Sequence, residues 1–339
     1  MSKILKVSSL PLKDVIIDLS HEFKTDYTEK CTEYMLTVPE KWGSGEIRGI
    51  DFDNGLGIII YQCRFDTDIQ IRFTVDDVHP VKYIYTTTGP VSHSFSNENT
   101  IHHINEHTCA IVASKDHNGH VLYFNAEQQV NVVSLEIDRE KFFRNTECAM
   151  DNLSAPLQEL FNDFRAKKKF YHQGFFGVNF YAILDSIDSY EDKLLLRKLH
   201  LESQALNIFV NQIRLFEDDI KPDFHKTILR YNELKQVEKL GNLISNNIAS
   251  DFSIEELSKE SGLNPNKLQY GFKHVYNKTV REFIIVNRLE KAKHLLSTTD
   301  LSMNDIAGSI GIKSSSYFSK LFKNHFGITP LKYKENIVR

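Results

Sequence analysis

The fold is decided by IEELSKESGLNPNKLQYGFKHVYNKTVREF, residues 254–283, because residues 303–333 repeat its pattern as MNDIAGSIGIKSSSYFSKLFKNHFGITPLKY. The copies align at a spacing of 49 residues up to Gly262 and Gly311, and of 50 residues from Leu268 and Phe318 onward. In each copy a small residue stands four positions before the glycine, and a second stretch with helical apolar spacing follows. This order predicts a helix, a tight turn and a second helix, occurring twice.

The residue types at the two turns fit this geometry. Ser258 and Ala307 are small, so the second helix of each copy can cross the first at a short distance. Gly262 and Gly311 supply the positive φ that a tight turn needs, because glycine has no Cβ to clash. Both copies therefore predict the same backbone path.

The ends of the helices are also marked. Ser253 and Ser302 each stand three positions before an acidic residue, which predicts a capping box at the start of each copy. Asn277 and Gly327 follow the second helix of each copy, and these two residue types are best suited to a left-handed C-cap. The repeat is therefore one of geometry as well as of letters.

Residues 281–296, between the copies, predict one long helix with a stripe made of Ile284, Leu289, Ala292, Leu295 and Leu296. Such a helix would hold the two units at a fixed separation. Two recognition helices about 34 Å apart on one face would enter successive major grooves of DNA. An all-helical bundle that does not bind DNA is the alternative.

Composition and charge agree with a nucleic-acid partner for the C-terminal part. The 339 residues are 41% hydrophobic and 25% charged, as in an ordinary globular protein of two or three domains. Residues 221–339 contain 19 Lys and Arg against 12 Asp and Glu, whereas residues 1–220 contain 22 against 33. A basic C-terminal part behind an acidic N-terminal part indicates that only the former meets a polyanion.

The first 150 or so residues are rich in Val, Ile, Tyr and Phe in short runs separated by Gly, Asn and Asp. This spacing predicts a small antiparallel β-barrel or sandwich. The predicted strands are residues 56–65, 69–73, 81–85, 109–114, 120–124 and 130–137.

Helical periodicity begins near residue 139, with candidate helices at 154–166 and 192–217. The second carries an apolar stripe, which is either internal packing or the seam of a homodimer; its members are Leu194, Leu195, Leu199, Leu206, Phe209, Val210 and Ile213. The predicted architecture is α+β. Its parts are a sensor domain (1–150), a helical dimerisation segment (151–220), a linker (221–235) and a double helix-turn-helix domain (236–339).

At this point the chain resembles the AraC/XylS type of transcription regulator. GIKSSSYFSKLFKNHFGITPLKYKE (311–335) resembles the C-terminal signature of that family, and Arg288, Leu289 and Ala292 resemble its linker helix. The resemblance covers residues 235–337 and implies a cupin-like effector domain in front, a small-molecule effector, activation of transcription and RNA polymerase as a partner. LNPNKLQYGFKHVYNKTVREF (263–283) further resembles the siderophore-responsive, pyochelin-regulator-like subgroup.

Side chains at the start of each second helix, opposite its buried stripe, are expected to reach base edges. They are Asn266, Lys267, Gln269 and Tyr270 in the first copy, and Ser315, Ser316, Ser319 and Lys320 in the second. The base-reading positions of the resembled family fall on Asn266, Gln269 and Tyr270. Gln269 would pair with adenine, whereas Lys273 and Lys323 are expected to contact phosphates.

A metal-dependent enzyme of the cupin type, fused to a DNA-binding domain, is the rival hypothesis. It rests on the closeness of His93, His102, His103, Glu106 and His107. Their spacing differs from the familiar cupin metal motif, so neither a catalytic function nor a metal or other cofactor is expected. The four cysteines, among them Cys148, are far apart, and we expect reduced thiols in a cytoplasmic protein.

Two further expectations concern the N-terminal part. No apolar run approaches the roughly 20 residues that cross a bilayer, so no membrane segment is expected. The effector-binding residues stay unknown, although aromatic side chains of the strands would line a pocket or form plain core: Tyr61, Phe65, Phe73, Tyr83, Tyr85, Phe95 and Tyr123. Arg64 and Arg72 would meet an anionic group or remain exposed.

Overall fold

The computed structural model describes residues 2–74, 77–144, 150–177, 180–222 and 226–337. The chain divides into two compact units, Met1–Pro222 and Asp223–Arg339. We call them the N-terminal unit and the C-terminal unit.

The N-terminal unit is built mainly from β-strands. In chain order they are β1 (Lys3–Val7), β2 (Tyr27–Lys30), β3 (Glu33–Thr37), β4 (Gly43–Asp51), β5 (Leu56–Phe65), β6 (Ile69–Phe73), β7 (Val81–Thr88), β8 (Val91–Phe95), β9 (His102–Ile104), β10 (Thr108–Ala113), β11 (His120–Phe124), β12 (Gln129–Ile137) and β13 (Phe170–Phe175). Each of the six predicted strands is confirmed within about three residues at its ends.

The strands form two sheets. The smaller has the order β1-β6-β11-β8-β9 and the larger the order β13-β10-β7-β12-β5-β4-β3-β2. Neighbours are antiparallel except β1 and β6, which pair in parallel. Within the described ranges the sheets do not close on each other, so the sandwich alternative is confirmed and the barrel is not.

Alternation along the strands explains why the sheets stack. In β6, Ile69, Ile71 and Phe73 are buried while the residues between them face outward. Tyr61 and Val132 of the larger sheet join them in one hydrophobic core between the sheets.

In the described part of the N-terminal unit, five helices accompany the strands: α1 (Leu12–Phe23), α2 (Arg139–Phe143), α3 (Ala155–Asn162), α4 (Phe180–Ser189) and α5 (Leu194–Asp219). Helix α1 corrects the prediction that the first 150 residues are β structure. Its apolar residues, Val15, Ile16, Leu19 and Phe23 among them, follow helical spacing and enter the core between the sheets. Strand β13 is a second correction, because it lies inside the segment predicted as helical and pairs with β10.

The apolar stripe of α5 divides between two environments. Phe209 is buried inside its own unit, whereas Leu195, Leu199, Leu206 and Val210 are exposed. Internal packing therefore accounts for only part of the stripe.

The C-terminal unit consists of α6 (Tyr231–Asn246), α7 (Ile254–Ser261), α8 (Pro265–Tyr276), α9 (Val280–Thr298), α10 (Met303–Ser309), α11 (Ser315–Phe326) and α12 (Pro330–Ile337). The predicted linker, 221–235, extends too far, since α6 begins at Tyr231; residues 223–225 lie outside the described part. Helix α9 confirms the predicted long connecting helix.

Two hydrophobic cores lie side by side in this unit. Leu257, Leu268 and Phe272 centre the first, and Ile306, Phe318 and Phe322 centre the second. Helix α9 contributes Phe283 to the first and Leu289 to the second. Because α9 contributes to both cores, it packs against both helix-turn-helix pairs of the C-terminal unit.

No helix in the described ranges is both long and apolar enough to cross a bilayer. Cys31 and Cys63 are free thiols, and burial raises the pKa of Cys63 to about 12. Cys148 lies outside the described residues.

Candidate nucleic-acid interface

The first helix-turn-helix unit consists of α7, a turn at Gly262 and α8. Ser253 accepts a hydrogen bond from the backbone N–H of Glu256, whose carboxylate accepts one in return from the Ser253 N–H. The bonds that this carboxylate accepts from the Ser253 N–H and hydroxyl lower the pKa of Glu256. Gly262 has a φ of 68° and Asn277, after α8, a φ of 53°. The predicted capping box, turn glycine and left-handed C-cap are thus confirmed.

The second unit repeats this geometry with α10, Gly311 and α11. Ser302 forms the predicted capping box with Asp305. Gly311 has a φ of 74° and Gly327 a φ of 80°. The Ser314 hydroxyl accepts from the Tyr317 N–H and so starts α11, as Asn264 starts α8 through the Lys267 N–H. The sequence repeat is therefore a repeat of backbone structure.

On α8 the predicted base-reading residues have different environments. Asn266 and Tyr270 are exposed, and 52% of Tyr270 is accessible. Gln269 is half-buried, and its side-chain oxygen accepts a hydrogen bond from the Val280 N–H at 3.3 Å. Lys273, the expected phosphate contact, is exposed one turn further along.

Lys267 corrects the sequence prediction. Its side chain is 3% exposed, and its Nζ donates to both carboxylate oxygens of Glu233 in α6, at 2.8 and 2.9 Å. Lys267 lies on the buried face of α8 next to Leu268, and the carboxylate of Glu233 neutralises its charge there. Lys267 therefore stabilises the unit internally and is not placed on the outer face.

On α11, Ser316, Lys320 and Lys323 are exposed, and Ser315 and Ser319 are half-buried. Neither α8 nor α11 contains an aspartate or a glutamate, whereas α7 contains three glutamates. The exposed faces of both second helices are accordingly polar or basic, a composition that suits contact with phosphates and base edges.

Arg288 of α9 links the first helix-turn-helix unit to the second. Its Nε donates to the carbonyl of Ile248 at 3.0 Å and its Nη2 to that of Ser250 at 2.8 Å, in the loop before α7. Its Nη1 donates to the carbonyl of Gly311 at 3.2 Å, in the turn of the second unit. The family signature pointed to Arg288, but only the structure identifies these partners.

A second link was missed by sequence reasoning. The Asn264 side chain donates to the carbonyl of Lys226 at 2.9 Å, so the start of α8 is bonded to the segment before α6. Asn264 carries a local signal, since Asn before Pro is a common helix start. Nothing in the sequence identifies Lys226 as its partner.

The histidines of the N-terminal unit bear on the rival hypothesis of a metal enzyme. His93 and His120 are buried between the sheets, with Nε2 of the former 3.0 Å from Nδ1 of the latter. Burial lowers the pKa of His93 to about 3, so this imidazole is neutral. His102 instead stacks on Tyr171. Within the described ranges no three His, Cys, Asp or Glu side chains are arranged to hold a metal ion.

Comparisons with known proteins agree with this geometry. Residues 43–224 match the family described as Regulatory protein PchR N-terminal domain, and residues 257–336 match the family described as Helix-turn-helix domain. The Msm operon regulatory protein of Streptococcus mutans is 30% identical over 101 residues, which are 30% of this chain and 36% of that protein. The HTH-type transcriptional regulator ExsA of Pseudomonas aeruginosa is 28% identical over 109 residues, 32% of this chain and 39% of that protein.

The matched segment spans less than two fifths of either relative. Among solved structures, apo ToxT of Vibrio cholerae is 16% identical and covers 83% of this chain and 97% of that one, with a TM-score of 0.34. A sheet-rich unit followed by two helix-turn-helix pairs that share α9 is the architecture that the resemblance to the AraC/XylS type implied. The chain belongs to the PchR family of regulatory proteins, because that family's N-terminal domain matches more than half of it.

Proposed function

We propose that this protein binds DNA sequence-specifically through α8 and α11 and regulates transcription in the cytoplasm. One observation carries the proposal: α8 and α11 contain no acidic residue and each follows a turn with a glycine of positive φ. Arg288 of α9 bonds the loop before α7 to the turn before α11. Duplex DNA presents phosphates and base edges in the repeating pattern that such a pair would contact. Activation of transcription with RNA polymerase as partner follows from the family resemblance.

Gln269→Ala is expected to weaken binding to the cognate site by about 1–3 kcal/mol and to relax specificity there. The amide must exchange its bond to Val280 for one to a base, and alanine offers neither. The cognate duplex would be selected from random DNA with the full chain, and the affinity measured by titration.

Lys323→Ala provides the matched comparison. Lys323 is exposed, so its loss should weaken all duplexes alike and flatten the dependence of affinity on salt by about one counterion. If neither substitution changes affinity, the assignment of α8 and α11 to DNA is wrong.

We further propose that the protein is a homodimer joined through α5. Residues 196, 199, 203, 206, 210 and 213 follow the alternating three- and four-residue spacing of a coiled-coil seam. Leu196, Leu199, Leu206 and Val210 in this series are 38–53% exposed. A second copy of the same helix would cover them.

Leu206→Glu is expected to convert the dimer to a monomer, because the new charge would be buried at the centre of the seam. Affinity for a duplicated operator should then fall more than about tenfold, through lost effective concentration. Asn207→Glu adds the same charge one position along, outside the seam, and should leave the mass measured by light scattering unchanged. A dimer that persists in Leu206→Glu would refute the seam.

The N-terminal unit is proposed to bind a small-molecule effector rather than to catalyse a reaction. A ferric siderophore is the candidate that the family resemblance suggests, and binding would bias α5 and through it the engagement of DNA. Thermal shift of the full chain with ferric chelates tests the candidate. Stoichiometric iron or zinc in the protein as purified would instead favour the metal-enzyme alternative.

A further inference from the structure

Arg139, the first residue of α2, is a buried cation with unused hydrogen-bond donors. Its side chain is 2% exposed, and its Nη1 donates to the Leu160 carbonyl at 3.4 Å, near the end of α3. Its Nε and Nη2 have no hydrogen-bond partner, and the described part of the chain places no carboxylate in an ion pair with it. Burial lowers the pKa of Arg139, and Asp163 and Asp138 oppose that lowering only from beyond ion-pair distance. The charge is therefore buried without a counter-charge in contact.

The two unused donors lie on the same edge of the guanidinium group. Nε–H and Nη2–H point in nearly parallel directions, which is the geometry that holds both oxygens of a carboxylate. Water could accept these hydrogen bonds, but it would not neutralise the charge, and a buried unpaired charge is strongly unfavourable. An anion bound to Nε–H and Nη2–H would supply both the missing acceptors and the missing counter-charge of Arg139.

The neighbours of Arg139 define the rest of the ligand. Tyr83 of β7 is 1% exposed, and its hydroxyl has no hydrogen-bond partner. Burial raises the pKa of Tyr83, and the charge of Arg139 opposes that rise. Tyr83 and Phe142, which lies three residues after Arg139 in α2, both contact the ring of Phe209, so Tyr83 and α2 meet at the same ring. Tyr83 also contacts Phe209 of α5 edge-on, with ring centroids 5.8 Å apart.

More aromatic rings surround Phe209. The ring centroids of Phe142 and Phe161 lie 5.4 and 5.7 Å from it, and Phe143 lies 4.8 Å from Phe161. These rings come from α2, α3 and α5, and Phe209 among them contacts Tyr83 of the larger sheet. An anion held by Arg139 would therefore carry an apolar or aromatic body rather than be a bare inorganic ion.

Two other cations of the N-terminal unit, Lys82 and Arg64, have carboxylate partners. Lys82, buried between the sheets, is paired with Glu136. Arg64, a candidate from the sequence, is half-buried and paired with Asp66 and Glu127. Arg139 differs from both because it is buried and also unpaired.

We propose that Arg139 and Tyr83 bind the carboxylate of a small aromatic or apolar organic acid, and that this is the anion-binding part of the effector site. The inference rests on the proposed function and deepens it. Phe209 lies on the inner side of α5, next to Leu206 and Val210 of the dimer seam. A ligand that displaces Phe209 therefore acts on the helix through which two copies would pair.

The test uses the full chain with benzoate as probe and benzamide as its uncharged counterpart, both at millimolar concentrations. Benzoate is expected to raise the unfolding temperature and to bind in calorimetry, whereas benzamide should do neither. Arg139→Met should lower the benzoate affinity at least about tenfold, since hydrogen bonds to charged groups are lost. Arg144→Met, on an exposed arginine just past α2, should leave it unchanged.

The unfolding temperature of Arg139→Met without ligand distinguishes a ligand-binding role of Arg139 from a structural one. If Arg139 only caps α3, Arg139→Met should lower the unfolding temperature; if it awaits an anion, removal of the unpaired charge should leave that temperature equal or higher. Tyr83→Phe removes one hydroxyl and keeps the test decisive should the methionine variant fail to fold.

No response to benzoate, or an equal response to inorganic phosphate, would overturn the proposal. DNA binding measured on the same preparations keeps the outcomes distinct. Its persistence without a benzoate response would refute the anion site alone, whereas its absence would refute the regulator itself.

Discussion

Gly311→Ala is expected to lower the free energy of unfolding of the C-terminal unit by about 3 kcal/mol. Two causes add. The φ of 74° is a left-handed conformation in which a Cβ is strained. A Cβ at this position would also lie 2.5 Å from the carbonyl oxygen of Ala249, a backbone atom that cannot simply rotate away. The turn of the second unit would have to separate from the loop before α7.

Two other glycines separate these causes. Gly262 has nearly the same φ, 68°, but a Cβ added there would meet no atom within 4 Å, so Gly262→Ala should cost only about 1–2 kcal/mol. Gly308 lies within helix α10, also with open space around it, and Gly308→Ala should stabilise by about 0.5–1 kcal/mol. Urea unfolding followed by a probe in the C-terminal unit gives all three values.

The order of the three variants is the decisive result. If Gly311→Ala costs no more than Gly262→Ala, the contact with Ala249 has no energetic weight. The contact also matters for DNA, because Arg288 bonds both to the carbonyl of Gly311 and to the same loop. Gly311→Ala should therefore weaken binding to a site that spans two major grooves more than binding to a half-site.

Lys267→Met is the second variant with a large expected effect. Removing one partner of a buried ion pair leaves the other charge uncompensated, which costs about 3–5 kcal/mol. Glu233 is 19% exposed, and its carboxylate also accepts a bond from the Arg230 N–H, so we expect a value of about 3 kcal/mol, near the lower end. Unfolding of the C-terminal unit in denaturant measures it.

Lys273→Met is the matched control on the same helix. Lys273 is exposed, so its loss should change stability by less than about 0.5 kcal/mol while weakening DNA binding. Lys267→Met combined with Glu233→Leu removes both charges and should recover part of the lost stability. The reverse pattern, with Lys267→Met stable but unable to bind DNA, would restore the sequence prediction that Lys267 faces DNA.

The positions that the sequence predicted well are those fixed by local chemistry. Ser253 and Ser302 form their capping boxes, and Gly262, Gly311 and Gly327 have positive φ. These features depend on residues within four positions of each other, so their physics is contained in a short stretch of chain. The repeat strengthened each of them by giving the same pattern twice.

The predictions that failed depend on surroundings that no short stretch contains. Helix α1 was missed because its apolar residues precede a long β-rich region whose composition dominates the pattern. Lys267 was placed on the DNA face because a lysine near a helix start is usually exposed, yet α6 brings Glu233 to it from 34 residues away. Nothing in the sequence distinguishes Arg139, since its burial and its unused donors exist only once α3 and the rest of the unit pack around it.

The amino-acid sequence by itself determined the class of the protein, through a duplicated glycine turn, its caps and the apolar spacing of the helices, all of them short-range features. The tertiary structure alone decided that Lys267 is paired inside, which backbone carbonyls Arg288 joins, and that Arg139 is buried with two unused donors. The physical reason is that burial and charge pairing are set by elements distant in the chain, whereas turns and caps are set by neighbours.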